Sequence, residues 1–234
     1  MVAVGQSKEL IMREIVLDTE TTGFRQNDGD RIVEIGCVEL VNHVATGNSY
    51  HQYINPERPM PEGAFKVHGL SSEFLAEFPV IAKIMDQFVA FIGEETPLII
   101  HNAEFDIGFL NAELKLLDKP TIPMSRSIDT VRMARDKFPG APASLDALCR
   151  RFSIDNTDRT LHGALLDAQL LSEVYLELIG GRQPDFEMTP DKNSGETHTS
   201  NLEYRKPRVF TTSKTEKDAH AEFLKKIIGP KWTN

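Results

Sequence analysis

Glu14-Ile15-Val16-Leu17-Asp18-Thr19-Glu20-Thr21-Thr22-Gly23 is the stretch whose reading decides the fold. Residues 14–18 form a short apolar run, and the polar residues from Thr19 to Gly23 read as a loop. The pattern predicts a buried strand that delivers acid to its C-terminal end. Asp18 and Glu20 stand two positions apart, so on an extended backbone they share a face while Thr19 points to the other. Carboxylates at that range repel unless a cation stands between them. An isolated Asp-x-Glu triplet is commonly a solvated acidic loop. Here the apolar strand before it and the glycine after it favour a metal-binding pair.

Outward from that strand, residues 31–41 (RIVEIGCVELV) alternate like a half-buried strand, and residues 49–54 supply a third after the turn residues Thr46-Gly47-Asn48. Three strands joined by short loops predict an antiparallel meander. The period then changes. Ile81, Ile84, Met85, Phe88, Val89 and Ile92 make a helical stripe. Leu98-Ile99-Ile100 reads as a buried strand, residues 104–117 as a helix, and Ser127-Ile128-Asp129 as a further strand end. Ser144 can cap a helix to about Arg151. A last long helix is expected over residues 163–179, ended by Gly180-Gly181. The expected class is α/β.

Residues 182–217 are rich in Pro, Asp, Asn, Ser, Thr and Lys without sustained periodicity, which is the composition of a flexible linker. A short amphipathic helix is expected over residues 218–228. The division expected is a catalytic domain over residues 1–181 and a flexible tail over 182–234.

Composition sets an objection. Lys plus Arg is 26 against 35 Asp plus Glu, a formal net charge of -9. That is the wrong sign for holding nucleic acid by broad phosphate neutralisation. An acidic nuclease requires metal ions to supply local positive charge. It grips few nucleotides and gains from a partner that retains it. No apolar run approaches the roughly 20 residues of a membrane span, and the start lacks a signal peptide's pattern. The two cysteines, Cys37 and Cys149, read as small core residues, which fits a reducing cytoplasm.

Two further segments carry acid. In His101-Asn102-Ala103-Glu104-Phe105-Asp106, Asp106 falls in the first turn of a helix, where the dipole favours an anion. Glu104 lies about 200° from it around the helix, so only one of the two can face a common site. The apolar Phe105 and Phe109 select Asp106. In Thr160-Leu161-His162-Gly163-Ala164-Leu165-Leu166-Asp167, His162 and Asp167 would stand about 140° apart on one helix. The histidine is therefore placed on the loop leading into the helix, with Gly163 giving the junction its freedom. Four carboxylates from three segments, with one histidine, match the needs of two-metal phosphodiester hydrolysis. Two cations about 4 Å apart clamp the attacking and leaving oxygens. A group titrating near neutrality takes the proton of the water.

VLDTETTGF, HNAEFDIGFL and HGALLDA resemble the three motifs of the DEDD exonucleases, in the histidine-bearing branch. SLDALCRRFSIDNTDRTLHGALLDAQLLSEVYLE resembles the epsilon subunits of bacterial DNA polymerase III. The resemblance spans about residues 13–181. It implies an RNase H-like fold, with a mixed five-stranded sheet, the Asp18 strand central and helices around it. It implies proofreading: hydrolysis of the 3′-terminal phosphodiester of single-stranded or frayed DNA, releasing nucleoside 5′-monophosphates, in the bacterial cytoplasm at the replisome. Two divalent ions, Mg²⁺ or Mn²⁺, are implied. Asp18, Glu20 and Asp167 would hold the tighter one, Asp18 would bridge, and Asp106 would hold the second, with His162 as general base. Substrate contacts are implied for Glu20, Glu62, His68 and Asp167. Val67-His68-Gly69 matches the family segment near the terminal nucleotide, but the loop carrying Glu62 is one residue longer than the family pattern. Asp129 is expected to cap a helix. Phe24 or Phe105 could stack a terminal base, a contact worth roughly 1–3 kcal/mol, with core packing the expectation for Phe105.

The implied partners are the polymerase alpha subunit, bound through the C-terminal tail, and a small accessory core subunit. Gln183-Pro184-Asp185-Phe186 resembles a sliding-clamp-binding peptide but lacks its aliphatic anchor, while residues 205–210 and the helix near Phe223 are candidate docking segments. Two other functions use the same chain. A stand-alone RNA-trimming exonuclease would share the five site residues but needs no long tether. A noncatalytic polymerase-stabilising subunit would not require all five to be present.

Overall fold

β1, Arg13–Thr21, runs straight through the acidic triplet instead of ending before it. The computed structural model describes residues 12–157, 159, 161–180 and 213–225. The strand continues because Asp18, Thr19 and Glu20 pair with Gly36, Ile35 and Glu34 of β2, Ile32–Val41. A neighbouring backbone thus keeps the polar end of the run extended. β2 in turn pairs antiparallel with β3, Val44–Tyr53.

The turn between β2 and β3 is Asn42-His43, both in the left-handed region at φ 50 and 66. Two such residues give the twist a two-residue hairpin needs. The turn expected at Thr46-Gly47-Asn48 is instead a bulge inside β3, where the β2–β3 register shifts and Gly47 has φ +86. The Glu39 carboxylate accepts hydrogen bonds there from Thr46 Oγ1 at 2.9 Å and Asn48 Nδ2 at 3.3 Å.

The chain then crosses to the other side of β1 through three helices: α1, Glu62–His68; α2, Ser72–Leu75; and α3, Ile81–Ile92. β4, Leu98–Ile100, pairs parallel with β1. α4, Ala103–Leu116, returns the chain to β5, Ser127–Asp129, parallel to β4. α5, Thr130–Lys137, α6, Leu145–Phe152, and α7, Ala164–Leu178, follow. The sheet has five strands in the order β3-β2-β1-β4-β5, mixed in direction, with β1 at its centre. The expected fold is observed.

Alternation along β1 divides the interior into two layers. Ile15 and Leu17 pack with Met85 and Phe88 of α3 and with Phe109 and Leu110 of α4. Val16, on the opposite face, packs with Leu148 of α6 and with Leu171 and Val174 of α7. Each of these fully buried side chains contributes roughly 1.5–3 kcal/mol by leaving water. Both cysteines are free and buried in these layers, as expected. With both faces of β1 covered, its C-terminal end becomes a rigid shelf between the layers. The acids sit there.

The chain divides into two compact units, one up to Phe186 and one from Glu187. In the second unit α8 spans Lys214–Lys225 and starts earlier than the periodicity suggested. A capping box sets that start: Ser213 N donates to Glu216 Oε2 at 2.8 Å and Glu216 N to Ser213 Oγ at 3.2 Å. Residues 183–186 and 205–210, the clamp-like peptide and the other docking segment, lie outside the described residues. No helix among the described residues is long and apolar enough to cross a membrane.

Candidate active site

Four elements converge at the C-terminal end of β1. Asp18 and Glu20 come from the strand, Asp106 from the first turn of α4, Asp167 from the first turn of α7, and His162 from the loop before α7. Together with Thr19, His101, Phe105 and Arg159 they line a cleft of 270 Å³. All five residues assigned from the motifs are brought together.

Each arrives by an identifiable local device. Asn102 turns the chain through the left-handed region (φ 72) directly after β4, so α4 begins with Asp106 inward and buried while Glu104 is exposed. Thr19, on the face of β1 opposite Asp18 and Glu20, donates its hydroxyl to Asp106 Oδ1 at 2.7 Å. The side chain that points away from the acidic pair is thus the one that fixes the third acid. α7 reaches the shelf because Gly36 has no side chain: a Cβ there would lie 2.2 Å from the carbonyl carbon of Ala164. His162 is tied to α1 by its backbone N–H, which donates to the Val67 carbonyl at 3.1 Å. Its imidazole is 47% exposed on the rim, as the loop placement predicted.

The electrostatics describe a site short of positive charge. Burial, then repulsion from Asp106, Glu20 and Asp167, pushes the Asp18 carboxyl well above the usual carboxylate range. Burial, then Asp167 and Glu34, pushes Glu20 up to about 8. Burial raises Asp106 to about 7 even though the Thr19 hydroxyl favours its charged form. Asp167 differs. Burial acts to raise it, but hydrogen bonds from Arg159 and the contact with His162 carry it below the ordinary value. Glu20, His162 and Asp167 each offer a ligand atom within 4.8 Å of the others. Hard carboxylate oxygens with one imidazole suit a small divalent ion such as Mg²⁺ or Mn²⁺. Acids held against their ionisation are those a cation would relieve, so the residues present fit a metal.

A second cavity of 560 Å³ adjoins the cleft and shares Thr19, Glu20, Phe105 and His162 with it. Its far walls include Phe24, Val67 and His68. His68 ends α1 and is 5% exposed, with Nδ1 accepting from Leu70 N at 3.0 Å. Glu62 opens the same helix but is 80% exposed, pairs with Lys66 at 2.6 Å and lines neither cavity. Residues 62–68, read from the sequence as a loop, are helical because Gly69 stops them at φ 75 and Lys66 and His68 sit in the favourable last turn. Phe24 is 83% exposed. Phe105 is partly buried against the core, its ring 4.9 Å from Phe109 and 6.5 Å from Phe24. Asp129 caps α5 through Val131 N at 2.8 Å and also holds the α4 entry through Asn102 N at 3.2 Å.

Arg159 and His101 line the cleft without having been singled out in the sequence. A lone basic residue in an aperiodic loop gives no pattern signal. Gly36 was open to notice, because an isolated glycine inside a strand marks close backbone approach.

Residues 15–175 match the family model described as Exonuclease (RNase_T), which defines the class of protein that this cleft and this sheet make up. The chain is 50% identical over 224 residues to the DNA polymerase III subunit epsilon of Rickettsia felis, covering 93% of this chain and 97% of that relative. It is 51% identical over 181 residues to the subunit of Escherichia coli K12, covering 74% of this chain and 73% of that one. Among solved structures, exonuclease X in complex with 5′ overhanging duplex DNA matches with a TM-score of 0.56 at 25% identity, covering 71% of this chain and 90% of that one. The nuclease domain of 3′hExo, a DEDDh family member, matches in fold with a TM-score of 0.62 at 15% identity, over 74% of this chain and 94% of that one. The chain belongs to the DNA polymerase III epsilon family, the metal-dependent 3′→5′ exonucleases that proofread bacterial replication.

Proposed function

We propose that the cleft removes the 3′-terminal nucleotide of a single-stranded or frayed DNA end as a 5′-monophosphate, by two-metal hydrolysis. The observation that carries this reading is the convergence of Asp18, Glu20, Asp106, Asp167 and His162 on one 270 Å³ cleft. Asp18, Glu20 and Asp167 would hold the tighter of two divalent ions, Mg²⁺ or Mn²⁺, and Asp106 the second. When bound, the ions would supply the positive charge that neutralises the scissile phosphate for attack by water. His162, on the rim, accepts the proton of that water. The rigid end of β1 and the Thr19 hydroxyl keep the acids oriented, so little reorganisation is needed at the moment of attack. The terminal nucleoside sits in the 560 Å³ cavity, against Phe105 and His68.

The protein works in the bacterial cytoplasm at the replisome. The segment from residue 182 onward tethers the exonuclease to the polymerase alpha subunit, and the R. felis relative matches nearly end to end, tail included. Retention by a polymerase answers the net charge of -9, since the surface does not hold DNA by itself.

The test is degradation of a 3′-mispaired primer with Mg²⁺. Asp18→Ala and His162→Ala should each abolish activity by at least ~100-fold with the fold retained by circular dichroism. Undiminished hydrolysis by Asp18→Ala would remove the assigned site. Full activity on RNA with none on DNA would support the trimming enzyme instead.

A further inference from the structure

Arg159 is bound where a metal ion would need to act. Its side chain is 8% exposed and grips Asp167 with two parallel hydrogen bonds, Nε to Oδ1 at 2.6 Å and Nη2 to Oδ2 at 2.7 Å. Nη2 also donates to His162 Nδ1 at 2.8 Å, because a guanidinium can only donate. Both oxygens of one candidate metal ligand, and a ring nitrogen of the candidate base, are therefore held by one cation. A fourth contact leads out of the cleft: Nη1 donates to Asp146 Oδ1 at 2.7 Å, in the first turn of α6, and Asp146 is 45% exposed.

We infer that Arg159 is an exchangeable counter-ion for the metal: it holds Asp167 and His162 in place before metal binds, and a divalent ion must displace it from Asp167. The inference rests on the reading of Asp167 as a metal ligand. A divalent ion on Asp167, which has a ligand atom within 4.8 Å of those of Glu20 and His162, would stand beside the guanidinium. Like charges at that separation, in a cleft walled by buried side chains, repel strongly. A bidentate carboxylate–guanidinium pair also uses the oxygen lone pairs that point along the fork. The two cations compete for Asp167.

Asp146 makes displacement feasible without expelling the arginine. The guanidinium can pivot about its Nη1 bond, release Nε and Nη2 from Asp167, and remain paired with a carboxylate at the cleft edge. Arg159 grips both oxygens of Asp167 and a ring nitrogen of His162 at the same time. In the absence of metal, Arg159 therefore keeps α7 and the His162 loop registered against each other. Arg159 is a positioning residue, which acts through Asp167 and His162.

Mn²⁺ titration of the full chain by isothermal calorimetry tests this, with no substrate present. Arg159→Gln removes the competing charge but keeps a donor. It should bind Mn²⁺ at least about fivefold more tightly than wild type, the lower end of ordinary coupling between sites. Without metal, the same variant should melt at a lower temperature, and saturating Mn²⁺ should close most of that gap. If Arg159 merely scaffolded the ligands, its loss would weaken Mn²⁺ binding, and equal or weaker affinity overturns the inference. Should Arg159→Gln fail to fold, Arg159→Lys, with one point charge in place of the fork, should bind Mn²⁺ more tightly by a smaller factor, and weaker binding again overturns it. Wild type that gives no Mn²⁺ binding at all removes the metal site itself, an outcome distinct from a variant binding less tightly than wild type.

Discussion

Gly36 of β2 lies directly under the backbone of Ala164, so close that a Cβ on Gly36 would stand 2.2 Å from the Ala164 carbonyl carbon and 2.3 Å from Leu165 N. Gly36 is also the β2 partner of Asp18. One missing side chain therefore lets the first turn of α7 settle beside the acid-bearing strand and bring Asp167 to it. The obstructing atoms are backbone and cannot rotate away. Gly36→Ala should push α7 off the sheet and cost about 1–3 kcal/mol, the usual range for overpacking. Calorimetry should show a lower melting temperature, and exonuclease activity should fall further than that loss of stability accounts for. A variant with wild-type activity would mean that α7 is not positioned by this contact.

Stability without metal should run against pH in a direction set by the acids. Glu20 is pushed up to about 8 from 4.5 and Asp106 up to about 7 from 3.8, both chiefly by burial. The folded protein thus keeps protons that the unfolded chain has already released. That contribution to stability is complete below the unfolded values and is lost as pH rises through about 7 to 8. Thermal melts in chelator should therefore fall in midpoint between pH 5.5 and 8.5, with stability dropping by roughly 1.4 kcal/mol for each pH unit over which the folded state alone retains one such proton. Saturating Mg²⁺ or Mn²⁺ should flatten the trend, because the ion favours the charged acids. A chelated midpoint that climbs over the same range would contradict the charge imbalance described for the cleft.

Thr19 offers a narrower test. Its hydroxyl is the side-chain donor to buried Asp106, at 2.7 Å. Thr19→Val keeps the shape and removes the donor, leaving the carboxylate less satisfied at a cost of about 1–3 kcal/mol. Exonuclease activity should drop at least ~10-fold, since an acid without its partner is neither oriented nor readily ionised. Thr19→Ser should recover most of it. Equal activity in the valine and serine variants would show that packing, and not the hydrogen bond, is what Thr19 provides.

These residues also mark the limit of what could be read before folding. The strand at residues 98–100, the helix at 81–92, the Ser144 cap and the inward choice of Asp106 over Glu104 were legible, because each depends on periodicity or on the first turn of a helix. α1 was not. It has seven residues, too few for a stripe to repeat, and its N-cap Pro61 makes no side-chain cap hydrogen bond. Asp129 and Ser144, by contrast, announce the similarly short α5 and α6. The β2–β3 turn was displaced in the reading because Asn42-His43 lacks the glycine that usually announces such a hairpin. Arg159 was invisible for another reason. Its importance arises from meeting Asp167, His162 and Asp146 at once, which is a tertiary fact with no local pattern behind it.

The two residues assigned to substrate outside the acidic set should separate by experiment. Glu62 and His68 bound the same helix, α1, and family resemblance treats them alike. The fold does not. Glu62 is 80% exposed and engaged with Lys66, a surface pair worth little in water. His68 is 5% exposed and lines the cavity beside the cleft. Glu62→Ala should leave KM and kcat for a 3′-mispaired primer within about twofold of wild type, because surface changes of this kind stay within about ±0.5 kcal/mol. His68→Gln should raise KM by roughly 5–30-fold, the consequence of a lost contact of about 1–2 kcal/mol, while kcat changes less. The split between KM and kcat is the informative readout, since His68 borders the nucleoside cavity and not the acids. A His68 variant that loses kcat alone would move this residue from binding the nucleotide to supporting His162, which is tied to the same helix through Val67.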